Sequence, residues 1–226
     1  MTPKELNQKM KIAIFDMDGT VVNSLGYFKK FWKFVGEKYF NTDNYTPDVE
    51  IDKRIRTMTI RDSAFYMCDA LKLTEDPEVF YASCMNLLED FYKNDVELKP
   101  GAAEYIKYIS GSGRRIAIAS ATEKRLVEVA LKKCGIFDSF DAVVSCEEVG
   151  YGKVRPDVFF AALERLSGTL DEAVVFEDSY VALETAKSAG FMTVGIFDAG
   201  NYNQERLKAA SDLYLSEGES FNDLIV

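Results

Sequence analysis

The sequence predicts an α/β fold, a parallel sheet covered by helices on both faces and interrupted after its first strand by an all-helical insertion. Three observations carry this expectation. Short apolar runs rich in Val, Ile, Ala and Phe recur along the chain, with the length of buried parallel strands. Helical patterns closed by Gly or opened by Pro lie between most of these runs, and that alternation gives a parallel sheet. From about position 25 to 96 the rhythm stops, and the chain becomes aromatic-rich with helical spacing only.

The first strand is "KIAIF" (11–15). Three helical stretches follow, "LGYFKKFWKFVGEKYF", "TIRDSAFYMCDALKL" and "DPEVFYASCMNLLEDFYKND", and "ELKPG" (97–101) returns the chain to α/β order. The second strand is "RRIAIA" (114–119), followed by a helix with Thr122 as N-cap that runs through Leu126, Val129 and Ala130 to a C′ glycine, Gly135. After the strand "DAVVSC" (141–146), a helix opening on Pro156 at its first position buries Phe159, Phe160, Leu163 and Leu166. The strand "EAVVFE" (172–177), a helix from about Tyr180 to Ala189 ending at Gly190, the strand "FMTVGIF" (191–197) and a weak strand "LYL" (213–215) complete the order. The expected division is a core of residues 1–24 and 97–226 with a helical insertion at 25–96.

The 226 residues are 47% hydrophobic and carry a net charge of -10, a globular composition whose acidic surface repels nucleic acid and anionic lipid. No apolar run reaches the length of a membrane span. The opening "MTPKELNQKMK" has basic residues but no apolar segment of a signal peptide, so a cytoplasmic location is expected. Cys68, Cys84, Cys134 and Cys146 are scattered without C-x-x-C spacing and read as free thiols in a reducing compartment. The chain has no histidine, which excludes Ser-His and Cys-His catalysis and any imidazole-ligated zinc. No obligate protein partner is indicated.

In open parallel sheets, ligands bind beyond the carboxyl ends of the strands. Here the first strand ends in Asp16-Met17-Asp18, the second in Ser120 and the fourth in Glu177-Asp178, while Lys153 lies in the loop after the third, in "GYGKVRPD". Each alone has an ordinary explanation. An acidic pair after a strand is commonly a turn or cap, a lone lysine is commonly solvated, and Glu177-Asp178 could simply complement a helix dipole. Their convergence on one sheet edge is the signal. Two carboxylates about 4 Å apart repel by about 4 kcal/mol at an effective dielectric of 20. A hard divalent cation with all-oxygen ligands, Mg²⁺, removes that cost and makes the edge attractive to a phosphate group.

The sequence "DMDGT", the serine of "IAIASAT", the lysine of "GKVRPD" and "VVFEDSYVALETAKSAG" together resemble the haloacid-dehalogenase-like superfamily, in particular its phosphoglycolate-phosphatase-like and β-phosphoglucomutase-like members with a helical cap. The four motifs occur in order, and the resemblance runs from Lys11 onward. It implies a Rossmann-like parallel-sheet core with an inserted helical cap. It also implies a Mg²⁺-dependent phosphatase for a small phosphorylated metabolite, acting through an aspartyl-phosphate. By resemblance Asp16 is the nucleophile and Asp18 the general acid and base. Ser120, Ala121 and Lys153 hold the phosphoryl group. Asp16, the Asp18 backbone carbonyl and Asp178 bind the metal, with Glu177 as an outer or alternate ligand, and Thr20 braces the loop. The alternative within the family is a sugar-phosphate mutase using the same phosphoenzyme. The sequence departs from the mutase pattern at Phe28, where a cap histidine is usual, and at Ile60, where an arginine for a second phosphate is usual; Arg56 or Arg61 could supply that charge. Two other classes fit less well. Receiver domains are about half this length, and a nucleotide-binding module lacks support because "GSGRR" (111–115) precedes a strand instead of following one.

Overall fold

The computed structural model describes residues 1–55 and 58–226. Arg56 lies outside the described residues. The chain divides into two compact units, Met1–Asn23 with Val96–Val226, and Ser24–Asp95.

The first unit opens with a short helix, α1 (Pro3–Lys9), which the reading above missed although its signals are local. Thr2 and Glu5 form a capping box around Pro3. The first strand, β1 (Ile12–Phe15), is buried along its whole length. A two-residue strand, β2 (Val22–Asn23), follows it.

The second unit is helical among its described residues: α2 (Leu25–Tyr39), α3 (Val49–Ile55), α4 (Ile60–Ala70) and α5 (Pro77–Asn94). Only α3 was not anticipated. Its core joins Phe31, Trp32 and Val35 of α2 to Ile55, Met67, Phe80 and Cys84. Phe28 and Ile60 pack at the margin of this core, and the Arg61 guanidinium meets the Glu78 carboxylate and the Phe65 and Tyr81 rings. The indole N–H of Trp32 donates to Asp52 Oδ1 at 2.8 Å, and both side chains are buried. Asp52→Ala strands that donor and should destabilise the unit by about 1–3 kcal/mol. The chain has a single tryptophan, so its fluorescence during urea unfolding reports this change directly.

The chain re-enters the first unit through β3 (Glu97–Leu98), which pairs antiparallel with β2. Then come α6 (Ala102–Gly111), β4 (Arg115–Ser120), α7 (Lys124–Lys133), β5 (Ala142–Ser145), the one-turn α8 (Cys146–Val149) and α9 (Asp157–Arg165). The remainder is β6 (Ala173–Glu177), α10 (Tyr180–Ser188), β7 (Met192–Ile196), α11 (Gln204–Ala210) and β8 (Leu213–Leu215). Six strands form a parallel sheet in the order β5-β4-β1-β6-β7-β8. The expected strands are all present, with ends that agree to within a residue.

Two details differ from expectation. Pro156 is the N-cap of α9 and not its first residue, and Phe160 faces outward, 42% exposed, while Phe159, Leu163 and Leu166 are buried. A helix this short buries one stripe, and Phe160 lies off it, resting against Phe191. The N-cap of α7 is Glu123, not Thr122. The four cysteines are free thiols.

Alternation along β1 separates two cores. Ile12 and Ile14 face α9 and α10 with Phe159, Leu163 and Leu183. Phe15 turns to the other face, stacked on Phe176 with ring centroids 4.3 Å apart and flanked by Tyr105 and Phe221. β1 lies between β4 and β6, where the chain's winding direction reverses, so its carboxyl end opens at the switch point of the sheet. Among the described residues, no helix is long and apolar enough to cross a membrane.

Candidate active site

Register assembles the site. Phe15 pairs with Phe176 across β1 and β6, so the next residues, Asp16 and Glu177, are level, and the Asp16 N–H donates to the Phe176 carbonyl at 2.9 Å. On the other side Phe15 pairs with Ile118, and β4 runs on to Ser120. Met17, between Asp16 and Asp18, is fully buried. The turn then needs a residue with positive φ. Gly19 has φ +81°, and a Cβ there would lie 2.1 Å from Asp178 Oδ2. Asp178 can approach the first loop only because position 19 lacks a side chain.

Asp16, Glu177 and Asp178 each offer a carboxylate oxygen, and the three oxygens lie within 4.8 Å of one another. All three residues are buried. Burial and the neighbouring Glu177, Asp16 and Asp198 carboxylates push Asp178 well above the usual carboxylate range. Burial raises Glu177 to about 7, against the pull of Lys153. Such a trio is costly alone and suits a hard divalent cation bound through oxygen, so these residues could hold a metal ion.

Lys153 reaches in from the loop before α9. Its ammonium donates to Asp16 Oδ1 and to Glu177 Oε1, the latter at 2.6 Å. Burial alone would lower its pKa, but the two carboxylates outweigh that and hold it well above the usual lysine value. The second Glu177 oxygen accepts from the Ser179 N–H at 2.8 Å. Glu177 thus anchors Lys153 as well as contributing an oxygen to the trio.

Asp18 is held from the segment that follows β4. Its Oδ2 accepts from Thr122 Oγ1 at 2.9 Å, while the Thr122 N–H donates to Ser120 Oγ at 3.1 Å. The threonine read from sequence as a helix cap therefore holds the second aspartate. Ser120 is buried at the end of β4, and Ala121, next to it, is exposed. Thr20 donates from Oγ1 to Asp178 Oδ1 at 2.9 Å. Asn201, in the loop after β7, donates from Nδ2 to Asp178 Oδ2 and, at 3.1 Å, to the Asp178 carbonyl. Nothing in the periodicity of the sequence marks Asn201, which lies in a polar loop past the end of β7. Asp16, Glu177 and Asp178 converge with Lys153, and Asp18 and Ser120 are linked to one another through Thr122.

Residues 10–190 match the model of the haloacid dehalogenase-like hydrolase family. The chain belongs to that family. It is 27% identical over 216 residues to a phosphorylated carbohydrates phosphatase of Thermotoga maritima, covering 95% of this chain and 98% of that protein. It is 23% identical over 198 residues to the β-phosphoglucomutase of Bacillus subtilis, covering 83% of each. Among solved structures, CbbY from Rhodobacter sphaeroides in complex with phosphate superposes with a TM-score of 0.79 at 22% identity, covering 96% of both chains. At that identity the likeness speaks for the fold alone. The chain is a hydrolase of the haloacid dehalogenase-like family, and its Rossmann-like α/β core is the fold of its structural neighbours.

Proposed function

We propose that this hydrolase is a Mg²⁺-dependent phosphatase that cleaves a small phosphorylated metabolite through an aspartyl-phosphate on Asp16. The observation that carries this reading is the buried oxygen trio of Asp16, Glu177 and Asp178, with the Lys153 ammonium bonded to two of its members and Asp18 held by Thr122.

In the first step an Asp16 carboxylate oxygen attacks phosphorus, and the bond from phosphorus to the ester oxygen breaks. The Asp18 carboxyl gives its proton to that departing oxygen. In the second step the Asp18 carboxylate takes a proton from water, the water oxygen attacks phosphorus, and the bond to Asp16 breaks, releasing phosphate. Lys153 and Ser120 stabilise the phosphoryl oxygens as charge moves onto them. Asp16, Glu177, Asp178 and the Asp18 backbone would hold Mg²⁺, which supplies positive charge against the phosphoryl group. Thr122 holds one oxygen of the Asp18 carboxylate in place. The helical unit is assigned the choice of substrate, in the manner of a cap.

The similarity to a β-phosphoglucomutase supports a second reading, a mutase using the same phosphoenzyme. A mutase must also hold a distal phosphate, and each lost charge-assisted contact costs about 1.5–3 kcal/mol. The apolar Phe28 and Ile60 favour the phosphatase. A panel of phosphorylated metabolites, assayed for free phosphate with Mg²⁺ and no bisphosphate activator, tests the choice. Phosphate should appear from at least one monophosphate, faster than β-glucose 1-phosphate and glucose 6-phosphate interconvert. Interconversion outpacing phosphate release would establish the mutase instead.

A further inference from the structure

The Asp178 carboxylate is gripped at both oxygens by neutral donors, Thr20 Oγ1 at Oδ1 and Asn201 Nδ2 at Oδ2. The same Asn201 nitrogen also donates to the Asp178 carbonyl at 3.1 Å. One amide group thus ties the side chain and backbone of a single residue together and sets the plane of its carboxylate. The orientation of the amide is dictated by chemistry. Turned over, it would set its oxygen against a carboxylate and a carbonyl, both acceptors only.

Asn201 is itself held by a closed network in the loop after β7. Its N–H donates to the Asp198 carbonyl at 3.0 Å. Gln204 Nε2 donates to that carbonyl at 2.8 Å and to the Asn201 carbonyl at 3.2 Å, and Gln204 Oε1 accepts from the Tyr214 hydroxyl at 3.0 Å. The Asp198 carboxylate takes the Gly200 N–H at 2.8 Å and the Lys99 ammonium, whose second bond goes to the Phe197 carbonyl at 3.3 Å. The Lys99 N–H donates to the Val21 carbonyl at 2.9 Å, which ties the network back to the first loop of the site.

The contrast with the other carboxylates is informative. Asp16 and Glu177 share a lysine, a cation that competes with a metal ion for the same oxygens. Asp178 is oriented without added positive charge, and each of its oxygens retains a lone pair for a ligand. We infer that Asn201 is a positioning residue that presets Asp178 for the divalent cation, a role that rests on the metal-dependent phosphatase reading above. Partners of ligand side chains typically change metal affinity or activity by about 10–100-fold.

The test follows thermal unfolding of the metal-free chain and its Asn201→Ala variant as MgCl₂ is titrated, with no substrate present. The expected result is a Mg²⁺ midpoint raised about 10–100-fold in the variant. In turnover assays, half-saturating Mg²⁺ should rise by a similar factor while kcat at saturating Mg²⁺ falls less. An unchanged Mg²⁺ midpoint in the variant, whether or not its metal-free melting temperature drops, overturns the inference alone. A wild-type chain that shows no response to Mg²⁺ overturns the metal reading and the inference with it.

Discussion

Asp16→Asn should abolish phosphate release by on the order of 10⁴–10⁶-fold, the loss seen when an enzyme's covalent nucleophile is removed. The amide is nearly the same size and does not attack phosphorus. The backbone at this position is fixed by pairing with β6 and does not depend on the side-chain charge. The variant should therefore fold: it relieves repulsion in the crowded buried trio, and the Lys153 ammonium keeps Glu177 as its ionic partner. Steady-state phosphate release, with circular dichroism as the folding control, checks both parts. Turnover at the wild-type rate by a pure sample would remove Asp16 from the mechanism.

Chelation of divalent ions should stop turnover, and Mg²⁺ should restore it. Ca²⁺ should bind and inhibit, because its larger, looser coordination misplaces the phosphoryl group. Asp178→Ala removes one of the three converging oxygens and leaves Thr20 and Asn201 without their shared acceptor. A metal supplies several kcal/mol of charge stabilisation, so losing about 3–4 kcal/mol of it slows turnover about 10²–10³-fold at Mg²⁺ levels that saturate the wild type. Higher Mg²⁺ should recover part of this loss. Titrating activity against Mg²⁺ for both proteins measures it, and activity that survives exhaustive chelation would contradict the account.

Much of the site was legible because parallel strands expose their carboxyl ends, and a residue's place at such an end can be counted from the apolar run before it. Asp16, Ser120, Glu177 and Asp178 follow runs whose burial is evident in sequence, and Gly19 marks the turn. The family resemblance added roles that counting could not. Thr122 was misread because a hydroxyl just before a helix is ordinarily its cap; the deciding fact, an aspartate 104 positions earlier in the chain, is visible only after folding. Asn201 escaped for the same reason, since its loop takes its shape from Lys99, Asp198 and Gln204. Phe160 was assigned to the core on hydrophobicity, but a single-stripe helix leaves one of two adjacent aromatics outside. In the helical unit, α3 carries few apolar residues to set a period, although Asp48 caps its first turn from Oδ1.

The central claim is that phosphorus passes through a covalent bond to Asp16. Asp18→Asn should allow the first step with a substrate whose leaving oxygen needs little proton assistance, and should stall the second, because no carboxylate remains to activate water. Incubating this variant with Mg²⁺ and such an activated phosphate ester, quenching in acid and mapping the peptides by mass spectrometry is the direct measurement. The account predicts one added phosphoryl group on the peptide carrying Asp16, absent when Asp16 is also changed to Asn. Rapid phosphate release by the variant with no phosphorylated peptide, or a phosphoryl group found on another residue, would contradict it.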